Sequence, residues 1–206
     1  MSEASKQILR EAIPNMEGWL TPDRAIEMYD LVLEARPLTV VEIGVFAGRS
    51  LLAQALALKD NEYGKLYGID PWKVEAALEG EEDKTNRDWW SCNVDLEQMH
   101  RLTMQAIWKY NLDEYAIIIR SASQHVAGLF PLGIGVLLID GNHSQIASCR
   151  DVSLFVPQVV EGGYVWMDDC DWPSTLKAQQ LMMKWCREER VSADGHYKLY
   201  RRNKDL

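Results

Sequence analysis

Three aspartates that directly follow two apolar runs have the side-chain type and the spacing to do chemistry. Asp140 follows the run Ile134–Ile139, and Asp168 and Asp169 follow the run 164–167. Short apolar runs bounded by glycine and acid are typical of buried parallel strands. Since ligands bind beyond the carboxyl ends of the strands in an open parallel sheet, these carboxylates lie where chemistry is expected.

Carboxylates that meet at one edge of a sheet repel one another unless a cation or protons intervene. Oxygen ligands select hard divalent cations, so we expect Asp140, Asp168 and Asp169 to hold Mg²⁺, or Mn²⁺ or Ca²⁺ in its place. A metal lowers the pKa of a bound hydroxyl, and His143 could accept the released proton near neutral pH. Asp140 and His143 are therefore the candidate catalytic residues. The alternative is that the acids cap helices or bind a polar ligand without a metal.

A glycine-containing loop in the first third of the chain supplies a second group of candidate residues. The apolar run 38–43 precedes the loop 44–48 (GVFAG), and the next apolar run, 66–69, ends in Asp70. The loop lacks the second glycine of dinucleotide-binding loops; Phe46 stands there, and its bulk would hinder a pyrophosphate. An acid after the second strand can accept hydrogen bonds from a ribose diol. This combination favours a nucleoside ligand without a diphosphate, such as S-adenosylmethionine (SAM).

The elements that would position these residues alternate between strand and helix along the chain. This order predicts an α/β fold with a doubly wound, mostly parallel, Rossmann-like sheet and helices on both faces. Residues 173–189 are predicted to form a helix that begins at a proline. A turn at 193–195 and a last strand predict a hairpin, which would give the sheet an antiparallel edge strand.

Length and composition predict a single domain that spans residues 1–206. The chain is 47% hydrophobic and carries a net charge of −9. We expect a helical N-terminal segment at 1–36 and, at 71–95, an acidic insertion with tryptophans that could fold over the cleft as a lid. The net negative charge argues against nucleic acid as a partner, and the chain has no apolar run long enough to span a membrane.

The four cysteines show neither metal-like nor redox spacing, which predicts reduced thiols in the cytoplasm. The expected partner is a small-molecule or sugar acceptor. A homo-oligomer stays open, because nothing in the sequence fixes the oligomeric state.

The ordered motifs resemble those of class I SAM-dependent methyltransferases. Residues 41–50 (VEIGVFAGRS) and 68–72 (GIDPW) resemble the first two motifs of that class. Residues 120–125 (RSASQH) are similar to the adenine-contacting segment of the catechol O-methyltransferase branch. Residues 140–143 (DGNH) and 162–169 (GGYVWMDD) are similar to the metal-dependent small-molecule and sugar O-methyltransferases, including those of macrolide sugars.

This resemblance implies a role for each matching position. It assigns seven residues to SAM: Glu42, Gly44 and Ser50 at the methionine side, Asp70 at the ribose hydroxyls, Ser123 and Gln124 at the adenine, and Trp72 as a packing wall. It also places Asp140, Asp168 and Asp169 at the metal, where the catechol branch usually has Asn in place of Asp169. His143 stands where that branch carries a catalytic lysine. The implied reaction is a divalent-metal-assisted O-methylation of a hydroxyl on a small molecule or sugar.

Three alternatives to this function stay open. A methyltransferase of the same fold could use the acids to bind a polar acceptor without a metal. A non-catalytic module could bind SAM and transfer nothing. A nicotinamide-dependent oxidoreductase is a third alternative, against which the missing loop glycine argues.

Overall fold

The computed structural model describes residues 2–130 and 132–204 of the chain. Seven strands form one sheet: β1 Thr39–Ile43, β2 Lys65–Ile69, β3 Ala116–Ile119, β4 Ile134–Ile139, β5 Val159–Met167, β6 Cys186–Val191 and β7 Lys198–Arg202. Their order is β3-β2-β1-β4-β5-β7-β6. Strands β1 to β5 pair in parallel, and β7 pairs antiparallel with β5 and with β6. The predicted mostly parallel sheet with an antiparallel edge region is confirmed, although β7 lies inside the outermost strand β6.

Helices cover both faces of this sheet. They are α1 Ser2–Ala12, α2 Pro22–Ala35, α3 Arg49–Asn61, α4 Val74–Ala77, α5 Lys84–Cys92, α6 Leu96–Lys109, α7 Gln145–Phe155 and α8 Leu176–Met182. Because side chains alternate along a strand, neighbouring residues of β1 enter different cores. Val40 packs in a cluster with α1, α2 and α3, whereas Val41 packs in a cluster with α7 and α8.

Local capping fixes where the helices next to the site begin. Pro22 occupies the first turn of α2, and the Oγ1 atom of Thr21 accepts a hydrogen bond of 3.3 Å from the backbone N–H of Arg24. The Oγ atom of Ser144 caps α7 by accepting from the N–H of Ala147 at 3.3 Å. Each side chain satisfies a backbone donor that the first helical turn leaves free.

The predicted helix at 173–189 is wrong in its second half. A short 3₁₀ helix at Pro173–Thr175 leads into α8, which ends at Met182, and β6 begins at Cys186. The charged sequence of β6 has good helix propensity, but pairing with β7 satisfies its backbone within a larger sheet. Within the two described ranges, 2–130 and 132–204, no helix has the length and apolar character to cross a membrane.

Candidate functional site

The glycine loop after β1 lies directly against the end of β4. Gly44 has a φ of +86°, and a Cβ atom at this position would lie 2.0 Å from the carbonyl oxygen of Asp140 and 2.8 Å from the Cα of Gly141. The N–H of Asp140 donates to the carbonyl of Ile43 at 2.9 Å, and this hydrogen bond holds the ends of β1 and β4 together. Only glycine fits this contact, so the loop and the acids share one edge of the sheet.

Asp70 accepts hydrogen bonds from the backbone of the glycine loop. Its Oδ2 accepts from the N–H groups of Val45 and Phe46, both at 3.0 Å, and its Oδ1 accepts from the N–H of Trp72 at 2.7 Å. Burial raises the pKa of Asp70, and these three hydrogen bonds oppose that rise. Asp70 therefore holds the loop in shape, and its predicted contact with ribose hydroxyls stays a prediction.

Glu42 is fully buried beneath the same loop. Its two oxygens accept hydrogen bonds from Ser50 Oγ at 2.5 Å and from Gln54 Nε2 at 2.7 Å. Burial raises the pKa of Glu42 to about 8, and the nearby charge of Asp70 acts in the same direction. Glu42 and Ser50 are therefore bonded to each other next to the loop, and their place at the methionine side of SAM stays a prediction.

The residues predicted at the adenine side differ in their exposure. Ser123 is buried and donates a 2.5 Å hydrogen bond to Asp151 Oδ1, whereas Gln124 is exposed. Burial raises the pKa of Asp151 to about 6. Trp72 is buried, donates from Nε1 to the carbonyl of Phe46 at 2.8 Å, and is thus a wall beside the loop. Gln124 is the residue of this group that is free to reach a ligand.

The structure brings the predicted acids and His143 into one cluster. One potential ligand atom each from Asp140, His143 and Asp169 lie within 4.8 Å of one another. The Nε2 atom of His143 lies 2.8 Å from Asp169 Oδ2, and its ring packs on Trp172 at a centroid distance of 5.2 Å. Asp168 lies beside Asp169, and its Oδ1 is buried without a hydrogen-bond partner.

The three acids strongly affect one another's protonation. Burial, followed by the charges of Asp168 and Asp169, raises the pKa of Asp140 well above its usual range. Burial and then Asp169 raise the pKa of Asp168 to about 6. Burial is the largest single influence and would raise the pKa of Asp169, but the hydrogen bond from His143 and the charges of His143, His196 and Arg24 together lower it. Asp140 and Asp168 therefore hold a proton more tightly than free carboxyls do, first because they are buried and second because acids lie next to them.

His196, a residue of the C-terminal hairpin, also belongs to this cluster. Its Nε2 lies 3.4 Å from Asp169 Oδ1 and 3.7 Å from Asp168 Oδ2, and its Nδ1 lies 3.0 Å from Asp171 Oδ1. No local sequence signal specifies this contact, which follows from the antiparallel pairing of β5 with β7, in which Met167 is opposite Lys198. Continuing that register by two residues sets position 196 opposite position 169.

The insertion at 71–95 is tied to the segment that follows Asp140. The Nδ2 atom of Asn142 donates to the carbonyls of Ala76, Ala77 and Glu79 at 2.9, 3.0 and 3.0 Å. Arg150 donates to both carboxylate oxygens of Glu79, at 2.7 and 2.6 Å. The insertion therefore forms a cover over this edge, and its opening as a lid stays a prediction.

Four aromatic side chains fasten the same insertion to the glycine loop. Trp19 stacks on Phe46 at a centroid distance of 5.4 Å and contacts Trp89 at 5.5 Å. Trp90 meets Phe46 edge-on at 6.0 Å and Trp89 at 5.0 Å. Phe46 has a φ of +51°, which directs a bulky residue out of the loop and into this contact.

The comparisons with known proteins assign this chain to a methyltransferase-domain family. Residues 41–170 match the family described as methyltransferase domain, and the chain belongs to that family. An uncharacterized protein of Acanthamoeba polyphaga mimivirus is 32% identical over 136 residues, which are 66% of this chain. The chain spans about half, 53%, of that relative's length.

Two solved O-methyltransferases share the architecture. The O-methyltransferase NovP has a TM-score of 0.74 and 16% identity, with 98% of each chain covered. TomG from Streptomyces achromogenes, which is involved in tomaymycin synthesis and was solved in complex with SAM, has a TM-score of 0.65 and 13% identity, with 98% of this chain and 89% of TomG covered. The predicted class I methyltransferase fold is confirmed.

Proposed function

We propose that the protein is a SAM-dependent O-methyltransferase that methylates a hydroxyl of a small molecule or sugar with the help of a divalent cation. The observation that carries this proposal is the contact between the glycine loop and the acid cluster. Because Gly44 touches the backbone of Asp140, a nucleoside bound on the loop would lie next to the acids. A methyl donor and a polar acceptor would meet at this contact.

The hydrogen bonds of the loop favour SAM over a dinucleotide. A pyrophosphate needs free backbone N–H groups in the loop after the first strand. The N–H groups of Val45 and Phe46 already donate to Asp70, so this loop has little left to offer a phosphate. SAM has no phosphate, so it does not need free backbone N–H groups in this loop. Its positively charged sulfonium is stabilised by nearby acidic groups.

The acid cluster fits a divalent cation in its donor chemistry. Carboxylate oxygens of Asp140, Asp168 and Asp169 would hold the ion. The Oδ1 atom of Asp168 is buried and has no hydrogen-bond partner, so it is available to coordinate a cation. When bound, SAM supplies a methyl group on a sulfonium, and the cation lowers the pKa of the acceptor hydroxyl.

His143 is positioned to accept the proton of that hydroxyl. Its Nε2 lies 2.8 Å from Asp169 Oδ2, so the neutral imidazole donates there and keeps Nδ1 as the acceptor. The hydroxyl oxygen then forms a bond to the methyl carbon as the carbon–sulfur bond breaks, and the products are a methyl ether and S-adenosylhomocysteine. Protonated His143 returns its proton to water.

Calorimetric titration of the purified protein with SAM tests the proposal first, with NADH as the control ligand. We expect binding of SAM at micromolar concentration and none of NADH. Transfer of radiolabelled methyl from SAM to a panel of hydroxyl acceptors follows, in wild type and in His143→Ala. Tyr63→Ala is the control for truncating a side chain, since Tyr63 is exposed and precedes the amino end of β2, whereas the acids follow the carboxyl ends of β4 and β5. Failure to bind SAM would contradict the whole proposal.

The metal part has its own test. Methyl transfer is measured after treatment with EDTA and after adding back Mg²⁺ or Mn²⁺, and we expect loss and recovery of activity. Activity that survives EDTA would favour the metal-independent alternative, in which His143 and Asp169 bind and deprotonate the acceptor alone. SAM binding without transfer to any acceptor would favour the non-catalytic module.

A further inference from the structure

We propose that His196 is a nitrogen ligand of the divalent cation, which makes the site prefer Mn²⁺ and other first-row transition ions to Mg²⁺. The inference rests on the proposed metal function and adds a residue outside the family match, which ends at residue 170. Asp168 and Asp169 are the two carboxylates that would share the ion with His196.

The distances between His196 and the acids suit an ion between them better than a direct bond. Nε2 lies 3.4 Å from Asp169 Oδ1 and 3.7 Å from Asp168 Oδ2, both longer than the range of about 2.7–3.2 Å for N–H···O hydrogen bonds. Two atoms that are each about 2.1 Å from one ion lie roughly 3.0–3.4 Å apart in octahedral or tetrahedral geometry. A shift of a few tenths of an ångström would complete the coordination.

Asp171 gives His196 the orientation of a metal ligand. Metal-bound histidines usually donate their second ring N–H to a carboxylate or carbonyl, which fixes the tautomer. The Nδ1 atom of His196 lies 3.0 Å from Asp171 Oδ1. This contact leaves the lone pair of Nε2 directed at Asp168 and Asp169. The buried Oδ1 of Asp168, which has no hydrogen-bond partner, is an independent sign of a ligand.

The backbone of His196 is held in place by the hairpin and by the segment that carries the acids. The N–H of Cys170 donates to the carbonyl of His196 at 2.7 Å, which ties the hairpin to the residue after Asp169. The N–H of His196 donates to Asp194 Oδ1 at 3.1 Å, and Arg24 of α2 pairs with Asp194. The imidazole is therefore presented to the acids from a fixed backbone.

A nitrogen ligand changes which ion the site selects. Carboxylates alone suit Mg²⁺, Ca²⁺ and Mn²⁺, whereas imidazole suits the transition ions. Affinity for one site with mixed donors rises from Mn²⁺ towards Cu²⁺ along the first row. Mg²⁺ gains little from an imidazole, because it prefers oxygen ligands and keeps its water.

Titration of the full chain with Mn²⁺, followed by electron paramagnetic resonance, and with Mg²⁺ in competition tests the inference. We expect His196→Ala to weaken Mn²⁺ binding by at least about 10–100-fold, since the loss of an outer-shell partner alone costs this much, while Mg²⁺ binding changes by less than about threefold. Asp171→Asn should give a smaller loss of Mn²⁺ affinity in the same direction. His125→Ala is the matched control and should leave both affinities unchanged, and thermal melting checks that each variant is folded.

A second readout reports the ligand atom directly. Pulsed resonance of bound Mn²⁺ detects coupling to a directly bonded ¹⁴N nucleus, and we expect this coupling in wild type and in His125→Ala and its loss in His196→Ala. Unchanged Mn²⁺ affinity and coupling in His196→Ala would overturn this inference and leave the proposed metal-assisted reaction standing. A wild-type protein that binds SAM but neither Mn²⁺ nor Mg²⁺ would overturn both metal claims and leave SAM binding intact.

Discussion

The two halves of the candidate site differ in how the oxygens of their buried carboxylates are hydrogen-bonded. The loop half comprises Glu42, the loop 44–48 and Asp70, and both oxygens of each carboxylate there accept hydrogen bonds from the protein. The acid half comprises Asp140, His143, Asp168, Asp169 and His196. There, within the described part of the chain, the carboxylates face one another, and Asp168 Oδ1 has no hydrogen-bond partner.

This difference shows which carboxylates serve the fold and which are available to a ligand. A buried oxygen that already accepts hydrogen bonds contributes by shaping backbone, as Asp70 does for the glycine loop. A buried oxygen without a donor costs free energy until a ligand or proton meets it. The loop half is therefore satisfied by the protein itself, whereas the acid half keeps a buried oxygen, Asp168 Oδ1, that the described residues leave without a hydrogen-bond donor.

Gly44→Ala gives the largest expected effect, because it disrupts the backbone contact that joins the two halves. A Cβ would lie 2.0 Å from the carbonyl oxygen of Asp140, and the φ of +86° is unfavourable for alanine. We expect a loss of at least about 3–4 kcal/mol in the free energy of unfolding, measured by urea titration, together with loss of SAM binding.

Gly195→Ala is the matched control for that substitution. Gly195 has a φ of +75°, and no atom lies within 4 Å of a Cβ built there, so it carries the backbone cost without the clash. That cost is about 1–2 kcal/mol. Equal losses in the two variants would contradict the packing argument at Gly44.

Glu42→Gln tests the buried carboxyl of the loop half through the pH dependence of the free energy of unfolding. The pKa of Glu42 rises from an ordinary 4.5 to about 8 on folding, so the folded state holds the proton more tightly. The stability that this proton gives is fully present below pH 4.5 and is lost as pH rises through 8, by at most about 1.4 kcal/mol per pH unit. Gln mimics the protonated form, so the variant should be equally stable at pH 4.5 and clearly more stable at pH 8.

Chemical denaturation of wild type and Glu42→Gln at several pH values between 4.5 and 8.5 gives the measurement. The difference between the two curves isolates Glu42 from other buried acids, such as Asp151, whose pKa is also raised. Parallel curves over the whole range would show that Glu42 is ionised in the folded protein.

The sequence predicted the loop half better than the acid half for a physical reason. Glu42, the glycine loop and Asp70 belong to one β–α–β unit, so local order along the chain fixes their neighbours. The acids Asp140, Asp168 and Asp169 were found because adjacent parallel strands end at one edge. The protonation of these acids depends on burial, which no spacing reveals.

His196 could not be predicted because its position depends on a long-range pairing. The helix predicted at 173–189 overlaps the first residues of β6, so the predicted hairpin is shorter than the observed one. The tertiary pairing of β7 with β5 brings His196 to Asp169, and nothing local in the sequence specifies that register.

A pair of Asp→Asn substitutions should change stability in opposite directions in the two halves. Asp70→Asn leaves an amide that can accept with one atom only, so at least one buried backbone N–H loses its partner, at a cost of about 1–3 kcal/mol. Asp168→Asn removes a charge beside Asp169 and should stabilise the metal-free protein by roughly 1 kcal/mol. Thermal melts with EDTA, and again with Mn²⁺, measure both. Destabilisation of the metal-free protein by Asp168→Asn would contradict the contrast between the halves.

Glu79→Gln gives the smallest expected effect and tests how the cover is held over the acid half. Glu79 accepts two hydrogen bonds from Arg150, but its side chain is 41% exposed, so the pair contributes only about 0–1 kcal/mol. Global stability should therefore hardly change, while amide exchange over 74–92 should become faster, because among the described residues the hydrogen bonds of Asn142 are then left to hold this end of the insertion. Glu97→Gln breaks a comparably exposed pair with Arg120 outside the insertion and is the matched control. Unchanged exchange at 74–92 would mean that the hydrogen bonds of Asn142 and the aromatic contacts on the glycine loop hold the cover by themselves.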